Sequence, residues 1–142
     1  MIKHMGIIGS NYGENTHLPL VHPADIADSA AEELQKPFSG KSIRYVVSDE
    51  HTAGEAASIL GAAIGKPALK WVEFSDADAL AGMLQAGLPK EIAQNYTEMG
   101  TATRANILWE DYATHKPAVL GKRKLTEFAG EFAAVYNLVV SH

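Results

Sequence analysis

Apolar positions along the chain gather into three short runs, each followed by residues at helical spacing. The first run, Leu18-Pro19-Leu20-Val21, predicts a strand. Behind it Pro23 falls in a first helical turn, where its missing N–H is no loss, and Asp25 in the same turn suits the helix dipole. Ile26, Ala30 and Leu34, four residues apart, give that helix one apolar face, which Pro37 and Gly40 end. The second run, Ser42-Ile43-Arg44-Tyr45-Val46-Val47, is rich in strand-favouring residues. Thr52-Ala53-Gly54-Glu55 then reads as a capping box, with Ala56, Ile59, Leu60, Ala63 and Ile64 as the buried stripe. Gly65 supplies a left-handed exit and Pro67 prevents resumption.

The third run, Ala68 to Phe74, alternates Leu69 and Trp71 against Val72 and Phe74, so both faces are partly apolar and expected to be covered. Ser75 with Asp78 starts a helix carrying Leu80, Met83 and Leu84 and ending at Gly87. From Pro89 onward the pattern is helical: Ile92, Ala93, Tyr96, Met99 and Thr103 share a face. Trp109 to Gly121, with Pro117 inside it, predicts a loop with a short helical turn. Leu125, Phe128, Ala129, Phe132, Ala133 and Tyr136 mark the clearest amphipathic helix. Repeated strand–helix units favour parallel strands joined by right-handed crossovers. The expected fold is α/β: a small lobe with short, mainly parallel strands, about five helices and a helical C-terminal part.

Composition narrows the function classes. The chain has 142 residues, enough for a single domain over 1–142. Its net charge is −5 and its cations are scattered apart from Lys122-Arg123-Lys124, so no basic stripe suits a nucleic-acid backbone. The absence of cysteine removes disulfides, thiolate nucleophiles and thiolate metal sites. The N-terminus lacks the apolar core of a signal peptide, and no run approaches the roughly 20 apolar residues that span a bilayer. The chain reads as cytoplasmic, with neither nucleic acid nor membrane as partner.

Candidate chemistry is sparse. Gly6-Ile7-Ile8-Gly9-Ser10-Asn11-Tyr12-Gly13 invites a phosphate-loop reading, but Glu14 to Pro19 is a polar, proline-terminated stretch where a helix N-terminus would have to follow. A loop or hairpin is expected there. His22, at a strand end before a helix, is the best-placed titratable group. Its structural alternatives are capping that helix or pairing with Asp25. Asp49, Glu50 and His51 form a second acid–imidazole cluster, which helix-start electrostatics explains more simply than a metal site. Ser10, Ser48 and Ser75 lack the glycine frame of a nucleophile elbow. Tyr96, Met99 and Trp109 suit an apolar pocket for an aromatic ligand, although such residues at helical spacing are more often core.

Taken in order, Val21-His22-Pro23-Ala24-Asp25-Ile26-Ala27, Arg44 to Thr52, Gly65-Lys66-Pro67, Tyr96-Thr97-Glu98-Met99 and Phe128 to Phe132 resemble the C-terminal part of an NmrA-like protein, a member of the atypical short-chain dehydrogenase/reductases. The resemblance runs from about Gly6 to Tyr136 and implies an NAD(P)-binding, oxidoreductase-like family. Full-length relatives hold NAD(P)H in an N-terminal Rossmann half; some reduce quinones, azo dyes or related aromatics with it, and others only sense the nucleotide, so the resemblance implies the substrate-binding lobe of a reductase or of a nucleotide sensor. By the same resemblance His22 lies near the cofactor–substrate cleft, and the helix of Tyr96 and Met99 walls it. No counterpart of the family's glycine loop is found, so the chain is expected to be a truncated, catalytically incomplete lobe with no cofactor of its own.

The substrate-binding candidates are Tyr12, His22, Tyr96, Met99 and Trp109, with no catalytic, cofactor-binding or metal residue assigned. A small aromatic or quinone-like substrate is expected in the full-length context. A second expectation is a stand-alone interaction module that forms a homo-oligomer or docks on a Rossmann half, through edges the strands leave open.

Overall fold

Two short ladders organise the chain, as described by a computed structural model for residues 1–37 and 39–140. Strand β1 (Ile8–Ser10) pairs in parallel with β4 (Trp71–Glu73), placing Ile8 opposite Trp71. Strand β2 (His17–Leu20) pairs antiparallel with β3 (Asp49–Thr52), placing Leu20 opposite Asp49. A four-residue turn of helix, α1 (Ile2–Met5), precedes β1. Five helices have ten residues or more: α2 (Pro23–Leu34), α3 (Ala53–Ala63), α4 (Asp76–Gln85), α5 (Lys90–Arg104) and α7 (Leu125–Val140). Between α5 and α7 come a 3-10 turn at Ile107–Trp109 and the short α6 (Glu110–His115). The expected α/β class and helical C-terminal part are both present.

Helix starts follow the sequence closely. The Thr52 hydroxyl accepts from the Glu55 N–H at 3.2 Å, and Glu55 accepts from the Thr52 N–H at 2.8 Å, completing the capping box of α3. Ser75 caps α4 by accepting from Asp78 N–H at 3.1 Å. Gly65 takes φ 73° just past α3, the left-handed exit its position required. Helix α3 packs on α7 through small residues: Ala53, Ala56 and Ala57 on one side, Ala129 on the other, are all buried. Small side chains allow close approach, so the core here is narrow and lined by methyl groups.

Two expectations are corrected. The run Ser42–Val47 forms no strand; ladder pairing falls on Asp49–Thr52 instead. Strand propensity acts only where a partner strand is available. Among the described residues, the one backbone bond made by this run is from Gly121 N–H to the Val47 carbonyl at 2.7 Å, and Ile43 stays exposed. The early glycine run, expected as a loop or hairpin, holds β1 over Ile8–Ser10 and then a loop that leads into β2; the two strands do not pair, so the hairpin alternative falls and the loop stands after Ser10. No helix among the described residues is long and apolar enough to cross a membrane.

Candidate functional site

The site is built where the loop after β1 meets α5. Asn11, at the carboxyl end of β1, is 1% exposed. Its side-chain amide donates to Asp76 Oδ1 and to the Thr97 carbonyl, both at 2.9 Å. Arg104 donates to the Asn11 carbonyl at 2.7 Å and pairs with Asp76 at 3.0 Å. The Arg104 guanidinium, with the Asn11 amide second, holds the Asp76 carboxyl down to about 2. Gly100 makes this approach possible, because a Cβ there would lie 2.7 Å from Asn11 Cγ. One buried amide thus ties the loop of Tyr12 to the starts of α4 and the middle of α5.

The consequence is a pocket of about 410 Å³ lined by Tyr12, Tyr96, Met99 and Trp109, with Leu18 and Leu20 of β2 and Met83 of α4. Tyr12 stacks on Trp71, centroids 5.2 Å apart, and Trp71 Nε1 donates to the Tyr12 carbonyl at 2.7 Å. Burial pushes the Tyr12 phenol up from its ordinary value, which keeps it a hydrogen-bond donor. Tyr96 and Met99 are 51% and 50% exposed. Ala93, Gly100 and Thr103 are the buried positions of α5, so the aromatic and thioether side chains face the pocket rather than the core. Among the described residues no charged side chain lines this pocket.

His22 stands apart from these four. It lines a neighbouring cleft of about 280 Å³ with Val21, Ser48, Lys124, Leu125 and Phe128; Leu20 borders both spaces. Its Nδ1 accepts from Ala24 N–H at 3.1 Å, capping α2, while Nε2 lies 3.7 Å from Glu131. An accepting Nδ1 assigns the proton of the neutral ring to Nε2. His22 does not pair with Asp25. That carboxylate is taken by the Ser48 hydroxyl at 2.6 Å and by Arg123, whose backbone N–H and guanidinium reach it at 3.1 and 2.5 Å. Ser48, and then Arg123, bring the Asp25 carboxyl down to about 2 despite burial.

Of the two acids in the 49–51 cluster only Asp49 serves a helix start, and it is that of α7: Asp49 Oδ2 accepts from Leu125 N–H at 3.0 Å and meets His51 Nε2 at 2.9 Å. Glu50 is turned toward Lys116, Tyr112 and His17 instead. Lys116 first, then Tyr112, lowers Glu50 to about 2, while burial and Glu50 raise Tyr112 to about 12. No group of three or more His, Cys, Asp or Glu is placed to hold a metal among the described residues.

The chain is similar in structure to an NADPH-dependent quinone oxidoreductase from Escherichia coli solved with NADPH, at TM-score 0.71 and 20% identity over 89% of this chain. It is also similar to a triphenylmethane reductase from Citrobacter sp. solved with NADP(H), at TM-score 0.68 and 20% identity over 90% of this chain. The chain spans 44% of the length of each. No family model and no curated protein matches it. The likeness establishes a shared fold with part of these reductases.

A dinucleotide does not fit the described residues of this chain. Pyrophosphate binding needs a strand, a glycine turn and a helix N-terminus whose amides face the anion. Strand β1 runs into a loop and then β2. The helices that follow β2, β3 and β4 carry Asp25, Glu55, and Asp76 with Asp78 in their first turns, carboxylates that disfavour a phosphate at the same amides.

Proposed function

We propose that this unit is the substrate-side lobe of an NmrA-like, NAD(P)H-dependent reductase, and that it binds a flat, apolar aromatic such as a quinone. The observation that carries the reading is the convergence of Tyr12, Tyr96, Met99 and Trp109 on one pocket that has no charged side chain among the described residues. The fold supports it, being shared with reductases of quinones and of triphenylmethane dyes. Apolar walls with few polar groups are what a small aromatic requires, and a volume of about 410 Å³ lies in the usual range for such ligands. The reductant is a hydride donor held outside this chain; the lobe supplies binding, orientation and exclusion of water.

The test is a titration of menadione followed by intrinsic tryptophan fluorescence. Saturable quenching is expected, weakened about tenfold or more in a Tyr96→Ala, Met99→Ala double variant and unchanged in Val135→Ser on the far helix. Linear, non-saturating quenching rejects the reading.

A second reading is favoured by the free edges. Among the described residues each ladder has two strands only, so both ladders end in unpaired backbone, and Val135 and Leu138 on α7 are exposed. Such surfaces suit self-association or docking on a Rossmann half. Light scattering across concentration distinguishes the outcomes: a mass that rises toward a dimer supports it, and a constant monomer mass rejects self-association.

A further inference from the structure

The two ring nitrogens of His22 serve different helices. Nδ1 accepts from the Ala24 N–H at 3.1 Å and so caps α2, while Nε2 lies 3.7 Å from Glu131 on α7. Pro23, which opens α2, has no N–H, so the Ala24 N–H is the first amide of that helix in need of an acceptor. The ring also meets Phe128 of α7 edge-on, centroids 6.2 Å apart, and both side chains line the cleft of about 280 Å³. The backbone is held separately, because the His22 N–H donates to Ser48 Oγ at 2.9 Å. The ring can therefore turn without moving the chain.

Only a neutral imidazole can make this cap. Protonation turns both ring nitrogens into donors, so that one N–H then faces another at Nδ1. The positive end of the α2 dipole adds to the conflict. At Nε2 the effect is the opposite: a charged ring attracts the Glu131 carboxylate, which now stands just beyond hydrogen-bond distance. The other charged groups around the ring are already engaged. Asp25 is held by Ser48 and Arg123, and Arg123 in turn by Asp25 and Asp28. Asp49 is held by His51 and the Leu125 N–H, and Lys124 by the Ser48 carbonyl. Glu131, with 68% of its side chain exposed, has room to close on the ring.

We infer that His22 is a proton-driven switch between two helices: neutral, it caps α2; charged, it gives up the Ala24 N–H and turns to Glu131 of α7, moving one wall of the cleft it shares with Phe128. Imidazole is the side chain suited to such a change between about pH 5 and pH 8. The Asp25 carboxyl lies near 2, so it stays charged across that window and the junction at Ser48 holds while the ring turns.

The experiment follows the ¹⁵N-labelled chain by nuclear magnetic resonance from about pH 8 to about pH 5. At the upper end His22 Nδ1 is expected to show the shift of an unprotonated acceptor nitrogen. On acidification the Ala24 N–H should move upfield in step with the His22 ring signals, and contacts from the ring to the Glu131 side chain should strengthen. Exchange of the Ala24 N–H, corrected for its intrinsic pH dependence, should quicken about fivefold, as for the loss of an ordinary helix cap. In His22→Asn, a cap that does not titrate, the Ala24 N–H should hold one position throughout. An Ala24 N–H that stays put as the pH falls, or that moves equally in His22→Asn, overturns the inference. So does a neutral ring protonated on Nδ1, or a ring whose contacts to Glu131 do not change.

Discussion

The Ser48 hydroxyl donates to Asp25 Oδ2 at 2.6 Å inside the protein, across 23 positions of sequence. The same serine oxygen accepts from the His22 N–H at 2.9 Å, and Arg123 completes the set from the other side of Asp25. This junction fixes the start of α2 against the segment that leads into α7. Lys124 strengthens it by donating to the Ser48 carbonyl at 2.6 Å.

Asp25→Asn keeps the shape of this junction but removes its charge. We expect a loss of roughly 1.5–3 kcal/mol, the range for hydrogen bonds to charged groups. The measurement is the urea midpoint, which should fall with the slope unchanged. An unaltered midpoint would show that the junction contributes nothing net.

Acid sensitivity follows from the same groups. Asp25 and Glu50 have carboxyls near 2 in the folded chain, against ordinary values of 3.8 and 4.5. Their folded values are depressed, so the unfolded chain binds more protons in this window. The stability they contribute is complete above the ordinary values and is lost as pH falls toward 2. Denaturation midpoints should therefore drop steadily from about pH 5 to about pH 2, with a shallower drop in Asp25→Asn.

The sequence showed the helices well and the ladders poorly. Thr52 with Glu55, Ser75 with Asp78, and Pro23 mark helix starts through contacts within four residues, so local pattern sufficed. The run Ser42–Val47 misled because strand propensity does not record which neighbour is available. The aromatic side of the site was partly legible: Tyr96, Met99 and Trp109 stood out by type and spacing. What joins them was not. Asp76 at a helix start and Arg104 at a helix end look like ordinary dipole partners, and only the fold brings Asn11 between them.

Gly100→Ala tests that joint. Glycine to alanine inside a helix ordinarily stabilises by about 0.5–1 kcal/mol. Here the added Cβ would meet the Asn11 side chain, so the sign should reverse, with a loss of about 1–3 kcal/mol from overpacking. Menadione binding should weaken as well, because α5 must move away from the loop of Tyr12. Gly82→Ala on α4, where a Cβ meets open space, is the control and should stabilise.

Titration of NADPH and NADH by calorimetry addresses the cofactor. Carboxylates at the strand-following helix starts oppose a pyrophosphate, so neither nucleotide should bind this chain in the micromolar range. Micromolar binding would mean that a dinucleotide site exists in a part of the chain where the described geometry provides none.

On the reading proposed above, the pocket between the loop of Tyr12 and α5 is the ligand site. Intermolecular nuclear Overhauser effects from bound menadione locate the ligand directly. Contacts are expected from its methyl and ring protons to the Met99 methyl and the Tyr96 and Trp109 rings. Contacts confined to His22 and Phe128, in the neighbouring cleft, would contradict it.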